Sequence, residues 1–276
     1  MSEAGELLHV HALTLIGRAV TCLSWRGPRA HSGVHEARKA MRYARASLAL
    51  GFAGSKAPWN TIDHAIASIG RGLSQTRDAQ AQVHTLDRLL KLAPDDETRA
   101  DLRRQRLHVL AQRVQAMKLA QSEDPGFAQR QRELRLLVHA LDALPWASID
   151  SESLRRSIAL TLRRSQKAER RALDDGDNED WHRWRRRRRG LVQQQTILKE
   201  CGIDDHGLPP IPHKLSQQLG ESQDFAMLSE CVDKDRSLPK PQRRRMLSFI
   251  RDARKAINRK IRQRALNLRN PPIEIA

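Results

Sequence analysis

The chain has 276 residues, 39% of them hydrophobic and only 4% aromatic, with 50 Lys and Arg against 32 Asp and Glu for a formal net charge of +18. A chain of this length can bury a substantial core, but so few aromatic residues beside abundant Leu, Ala, Arg and Gln argue against a sheet-rich fold and for helices. The charge implies a polyanionic partner, whether nucleic acid, a polyphosphate or an anionic membrane surface.

Residues 6–25 read as a first helix, with Leu7, Leu8, Val10, Leu13, Ile16, Val20 and Leu23 as core contacts and Gly27-Pro28 as its end. His9 and His11 stand at i,i+2 and face apart on a helix, so they do not form a metal pair. Arg18 lies on this helix, where it can reach a basic site. A second helix spans about 33–52, followed by a short one over about 61–71 with Thr61 as N-cap. The next carries Arg77 and Asp78 and ends at Ala93-Pro94. Pro94-Asp95-Asp96-Glu97 then opens a helix to about residue 120, with acids near its positive end. After Asp124-Pro125-Gly126 comes a helix over 127–142, and Leu144 to Asp150 form the junction between two halves, about 1–145 and 150–276. The second half holds a helix over 151–173, capped by Asp150 or Ser151, and an arginine-rich helix behind the acidic run 174–180. A short helix opens at His213 and Lys214 and ends at Leu219-Gly220, and a last long one covers about 241–268. No periodic strand signal is present.

The second of these helices has two unlike faces. At about 100° per residue, His35, Arg38, Lys39 and Arg42 share one stripe with Arg45 at its margin, while Val34, Ala37, Met41, Ala44 and Leu48 share another. Like charges one turn apart cost stability, so the basic stripe is not there to hold the helix together. The arrangement returns: His182, Arg185, Arg186 and Arg189 repeat the same offsets. Leu73 to Asp78 likewise resembles Leu219 to Asp224, and the His35–Asp78 and His182–Asp224 separations differ by a single residue. This is the pattern of an internal duplication.

These residues resemble the CHAD domain, an all-helical family named for a conserved histidine. The pattern is His-x-x-Arg-[Arg/Lys]-x-x-[Arg/Lys] followed by a Leu-Gly-x-x-Arg-Asp-like segment, and both halves carry it, the resemblance covering roughly residues 5–270. Ser74 replaces the glycine, Gln223 replaces the arginine before Asp224, and Arg188 takes the apolar place that Met41 fills in the first half. The resemblance implies one all-α domain of two pseudo-symmetric helical halves around a basic central channel that binds inorganic polyphosphate. It also implies a binding set of His35, Arg38, Lys39, Arg42, Arg45, His182, Arg185, Arg186 and Arg189, to which Arg18, Arg77 and Lys214 add charge. Asp78 and Asp224 read as braces that orient arginines by charge-assisted hydrogen bonds.

The sequence has no Walker-type glycine-rich loop, no Gly-x-Ser-x-Gly elbow, no His-Glu-x-x-His helix and no cysteine pair at zinc spacing. Arginine neighbours repel a metal cation from His35 and His182 while stabilising an anion. The expectation is therefore binding without catalysis and without a metal or cofactor, His35 and His182 serving as hydrogen-bond donors, more strongly so when protonated near pH 6.5. A basic helical nucleic-acid-binding protein is the first alternative, weakened by the scarcity of stacking aromatics. A polyphosphate-processing enzyme is the second. Cys22, Cys201 and Cys231 form no disulfide framework, the N-terminus is acidic where a secretory signal is basic, and no apolar run reaches the ~18 residues of a membrane span. A cytoplasmic setting, with polyphosphate granules as a further option, is the expectation.

Overall fold

Acidic side chains cap the starts of three of the helices. Asp95 Oδ1 accepts the Thr98 N–H at 2.6 Å and Asp177 Oδ1 the Asp180 N–H at 2.9 Å. Asp150 Oδ1 accepts the Ser153 N–H at 2.7 Å while Ser153 Oγ accepts the Asp150 N–H at 3.0 Å, a reciprocal capping box. These bonds satisfy the orphan donors of a first helical turn, and they hold the Asp95 and Asp150 carboxyls below their usual range. The acidic runs before arginine-rich helices are thus caps.

The structure, a computed structural model, describes residues 3–53, 58–174, 176–205, 208 and 211–269, with Arg77 and Arg269 described for their backbone alone. Among the described residues the fold is all-α, without a strand. The helices are α1 Glu3–Leu23, α2 Ala30–Phe52, α3 Trp59–Arg71, α4 Ser74–Leu90, α5 Asp96–Glu123, α6 Ala128–Asp142, α7 Ser151–Leu173, α8 Asn178–Glu200, α9 His213–Lys234 and α10 Lys240–Arg269. Two local expectations need correction. Thr61 does not cap α3: the helix starts at Trp59 behind Pro58 and has no side-chain cap bond, so Thr61 is already inside its first turn. The helix opening at His213 is not short; it runs unbroken through Leu219-Gly220 to Lys234.

The chain divides into two units, each drawing on both sequence halves. The first comprises Met1–Asp78, Arg113–Gln166 and Arg189–Ile211, the second Ala79–Gln112, Lys167–Arg188 and Pro212–Ala276. In the first unit, Leu8, Ala12, Ile16, Ala19 and Leu23 of α1 pack with Val34, Ala37, Met41, Ala44 and Leu48 of α2, and α3 and α6 add Ile66, Leu134 and Leu141. The α1–α2 approach is so close that a Cβ on Gly33 would stand 2.3 Å from the Cys22 carbonyl oxygen, which excludes any larger residue there. α1 is long and apolar enough to cross a bilayer by length and composition alone, but Leu8, Ala12, Ile16 and Ala19 are buried against the protein core, as in an ordinary core helix, so among the described residues no clear membrane span is present. In the second unit the core is Leu86 and Leu89 of α4, Leu102 and Val109 of α5, Trp181 and Trp184 of α8, Leu215, Leu219, Phe225 and Leu228 of α9, and Met246, Ile250, Ile257 and Ile261 of α10.

Candidate functional site

Burying the apolar stripe of α2 turns its basic stripe outward. His35 and Lys39 are exposed, and Arg38, Arg42 and Arg45 are half-buried, with Nε and Nη1 of Arg38 and Nε of Arg42 closed off from solvent. Not all of these charges are equally available. Arg45 donates from Nε and Nη2 to both carboxylate oxygens of Asp63 on α3, at 2.7 and 3.0 Å, a bidentate pairing that fixes α2 against α3. Arg18 of α1, which is exposed, donates to Glu36 at 2.9 Å and so cancels the one acid within the stripe's reach on its own helix. Asp78 is half-buried near the start of α4. Arg77 is on the same helix, but its side chain lies outside the described residues.

His31, absent from the sequence-derived set, extends the stripe. It sits one turn before His35, half-buried, and burial together with the Arg113 charge from α5 holds its imidazole below the ordinary histidine value. The i,i+4 offset from His35 was the available signal.

In the second unit α8 is anchored by Trp181 and by Trp184, which is 0% exposed. That anchorage directs His182 and Arg185 toward α9. Asp224 Oδ2 accepts a hydrogen bond from Arg88 of α4 at 3.0 Å, and its Oδ1 stands 3.8 Å from Arg185. One half-buried carboxylate therefore holds two guanidinium groups side by side, leaving a net positive charge at the spot. Gly220 lies directly against the Arg185 guanidinium, where a Cβ would be 3.8 Å from Nε. Arg88 is steadied further by Thr85 Oγ1 at 3.1 Å and by the Phe225 ring, 6.0 Å from its centroid. Arg88 has no local sequence signal. It meets Asp224 across 136 residues of chain, and only the fold pairs them.

His182 is half-buried beside this cluster. Its pKa is lowered, first by burial and then by the Arg186 charge, with Arg185 acting the same way and a Gln223 hydrogen bond and Glu179 opposing. The imidazole is therefore neutral near pH 7, so the expected protonated donor forms only at lower pH. Arg186 is exposed and donates to Glu179 at 3.0 Å. Arg188 is the polar residue in Met41's place. It is half-buried, with burial lowering its pKa and the charge of Glu169 on α7 opposing that shift. Arg189 is half-buried and belongs to the first unit, and Lys214 is exposed in the first turn of α9.

Among the described residues, no group of three or more His, Cys, Asp or Glu is placed to hold a metal ion. What these side chains can do is bind anions: guanidinium groups are held in place by carboxylates too few to neutralise them.

A family model described as the CHAD domain matches residues 21–233 of the chain. No match was found among curated proteins. Among solved structures, PptA from Streptomyces chartreusis has a similar fold, with a TM-score of 0.66 at 16% sequence identity over 95% of this chain and 99% of that one.

Proposed function

Because the chain is a member of the CHAD family, we propose that it binds inorganic polyphosphate, without turning it over, on the basic faces of α2 and α8. The observation that carries this reading is the Arg88–Asp224–Arg185 arrangement beside His182, in which a carboxylate positions cations for an anion rather than cancelling them. The matched His35/Arg38/Lys39/Arg42 row supports it from the first unit. Both faces serving one phosphate chain, in the single basic channel that the family resemblance implies, is part of the proposal, as is a cytoplasmic setting.

The mechanism is electrostatic. Each phosphate unit carries charge, and each guanidinium can engage two phosphate oxygens at once. Direct contacts replace condensed counterions, so affinity falls with salt on a log–log line whose slope counts the phosphates neutralised, as it does for nucleic-acid backbones. Repulsion within each cationic row is relieved when the ligand arrives, and the complex resists unfolding more than the free protein does.

The test is competition at physiological salt between long-chain polyphosphate and duplex DNA or RNA for the intact chain. Polyphosphate displaces the duplex if the proposal is right, and displacement in the other direction would refute it. Incubating the protein with polyphosphate and divalent metals tests the non-catalytic part; orthophosphate release would overturn that part alone.

A further inference from the structure

The last helix carries a second cationic feature, C-terminal to the family-matched segment 21–233. Met246, Ile250, Ile257 and Ile261 fix the buried face of α10. On the other side Lys240, Arg244, Arg251, Lys255 and Arg259 are all exposed. At about 100° per residue these five fall within an arc of roughly 100°. At 1.5 Å rise per residue they form a line of about 28 Å. Leu266 falls in the same arc two turns further on and is 50% exposed. Asp252, at the edge of the arc, is the acid that accompanies them, 3.9 Å from Lys255. Arg262 lies in line too, but its guanidinium is turned onto the Leu173 carbonyl and the Trp181 ring.

Nothing in helix energetics asks for this line. Lys240 and Arg244 sit at the positive end of the helix, where cations are unfavourable, and Arg251, Lys255 and Arg259 repel one another at i,i+4. We propose that the outer face of α10 docks the protein on an anionic bilayer surface, binding lipid headgroups. The shape of the row favours a plane over a rod. A flat anionic surface touches every member of a straight, narrow, convex stripe together, whereas the phosphates of a duplex wind away from a straight line and meet it only where a backbone crosses. Leu266, an apolar side chain in line with the cations, suits the headgroup–acyl boundary and has no use against phosphates. α10 lies on the surface in this arrangement; its apolar face stays in the protein core.

The experiment is vesicle co-sedimentation of the full chain. Vesicles of neutral phosphatidylcholine are compared with vesicles containing about 30% phosphatidylglycerol, a fraction that gives a negative surface potential like that of a biological leaflet. Binding is expected to the anionic vesicles only, and to fade with salt over the Debye length. Three exposed changes together, Arg251→Gln, Lys255→Gln and Arg259→Gln, are expected to weaken it about a hundredfold, with circular dichroism and polyphosphate affinity unchanged. Leu266→Ser alone is expected to weaken it several-fold. Equal binding by the triple variant and the parent, equal binding to neutral vesicles, or no vesicle binding at all would overturn the proposal. So would a triple variant that loses affinity for duplex DNA while the parent ignores vesicles, since the stripe would then be a nucleic-acid surface. Arg185→Gln, which tests the polyphosphate reading, is expected to leave vesicle binding intact, so the two readings fail separately.

Discussion

Asp224 is the residue on which the two ways of reading a basic site part company. If bulk charge alone attracts the ligand, deleting an acid helps. If the acid holds Arg88 and Arg185 in place, deleting it hurts, because two long side chains regain the rotamer freedom that binding must then remove. Asp224→Ala is therefore expected to lower polyphosphate affinity about tenfold although the protein gains a positive charge; higher affinity would remove the bracing role. His182 makes the pH dependence specific. Its pKa lies below 6.5 in the free protein, burial being the first cause, so the unfolded chain takes up this proton more readily than the folded one. Stability of the free protein thus declines as pH falls from about 6.5 through the lowered value. A bound polyanion favours the charged imidazole, so binding takes up a proton and affinity rises over that same window, which calorimetry in buffers of different ionisation enthalpy detects. His182→Gln is expected to flatten the profile. The contact of Asp224 with Arg185 agrees with the pairing expected from the spacing, whereas that with Arg88 was not legible, since it spans 136 residues of chain.

At the scale of helices, periodicity carried most of the information. All five apolar positions read from the α2 stripe are core, at 2% exposure or less, because a 3.6-residue period leaves one way to bury them. Capping acids were legible for the same local reason. The error at α9 has a clear cause, since Leu219-Gly220 resembles a helix stop. Here Leu215, Leu219, Phe225 and Leu228 bury one continuous face, and that packing outweighs the weak helix propensity of a single glycine. Gly220 should accordingly tolerate a methyl group, which would make an ordinary contact with Arg185. Gly220→Ala is expected to stabilise the protein by about 0.5–1 kcal/mol, read from the denaturation midpoint. Asp101 of α5 is a sharper constraint. Its side chain is 0% exposed, and it accepts Arg245 of α10 through Nε at 2.8 Å as well as through Nη2. Asp101→Ala is expected to lower stability, read from the denaturation midpoint, because Arg245 loses its bonds to Asp101 and is left with Glu97 at 2.6 Å; an unchanged midpoint would mark the pair as solvent-screened.

For the whole molecule, a net charge of +18 announces a polyanion but does not choose among them. The repeated spacing of histidine, arginine and aspartate narrows the choice, and it was legible because matching offsets can be read along the chain. The division into units was not legible: each unit is assembled from three separated segments, and no local pattern says which segments share a core. Affinity for polyphosphate is expected to fall with rising salt on a log–log line, and loss of one contacting arginine should shallow its slope by about one. The most direct measurement is polyphosphate affinity, at physiological salt, of the chain carrying Arg38→Glu, Arg42→Glu, Arg185→Glu and Arg189→Glu together, with helicity monitored by circular dichroism. The account predicts that binding disappears while the helix signal persists; affinity equal to that of the parent would contradict it.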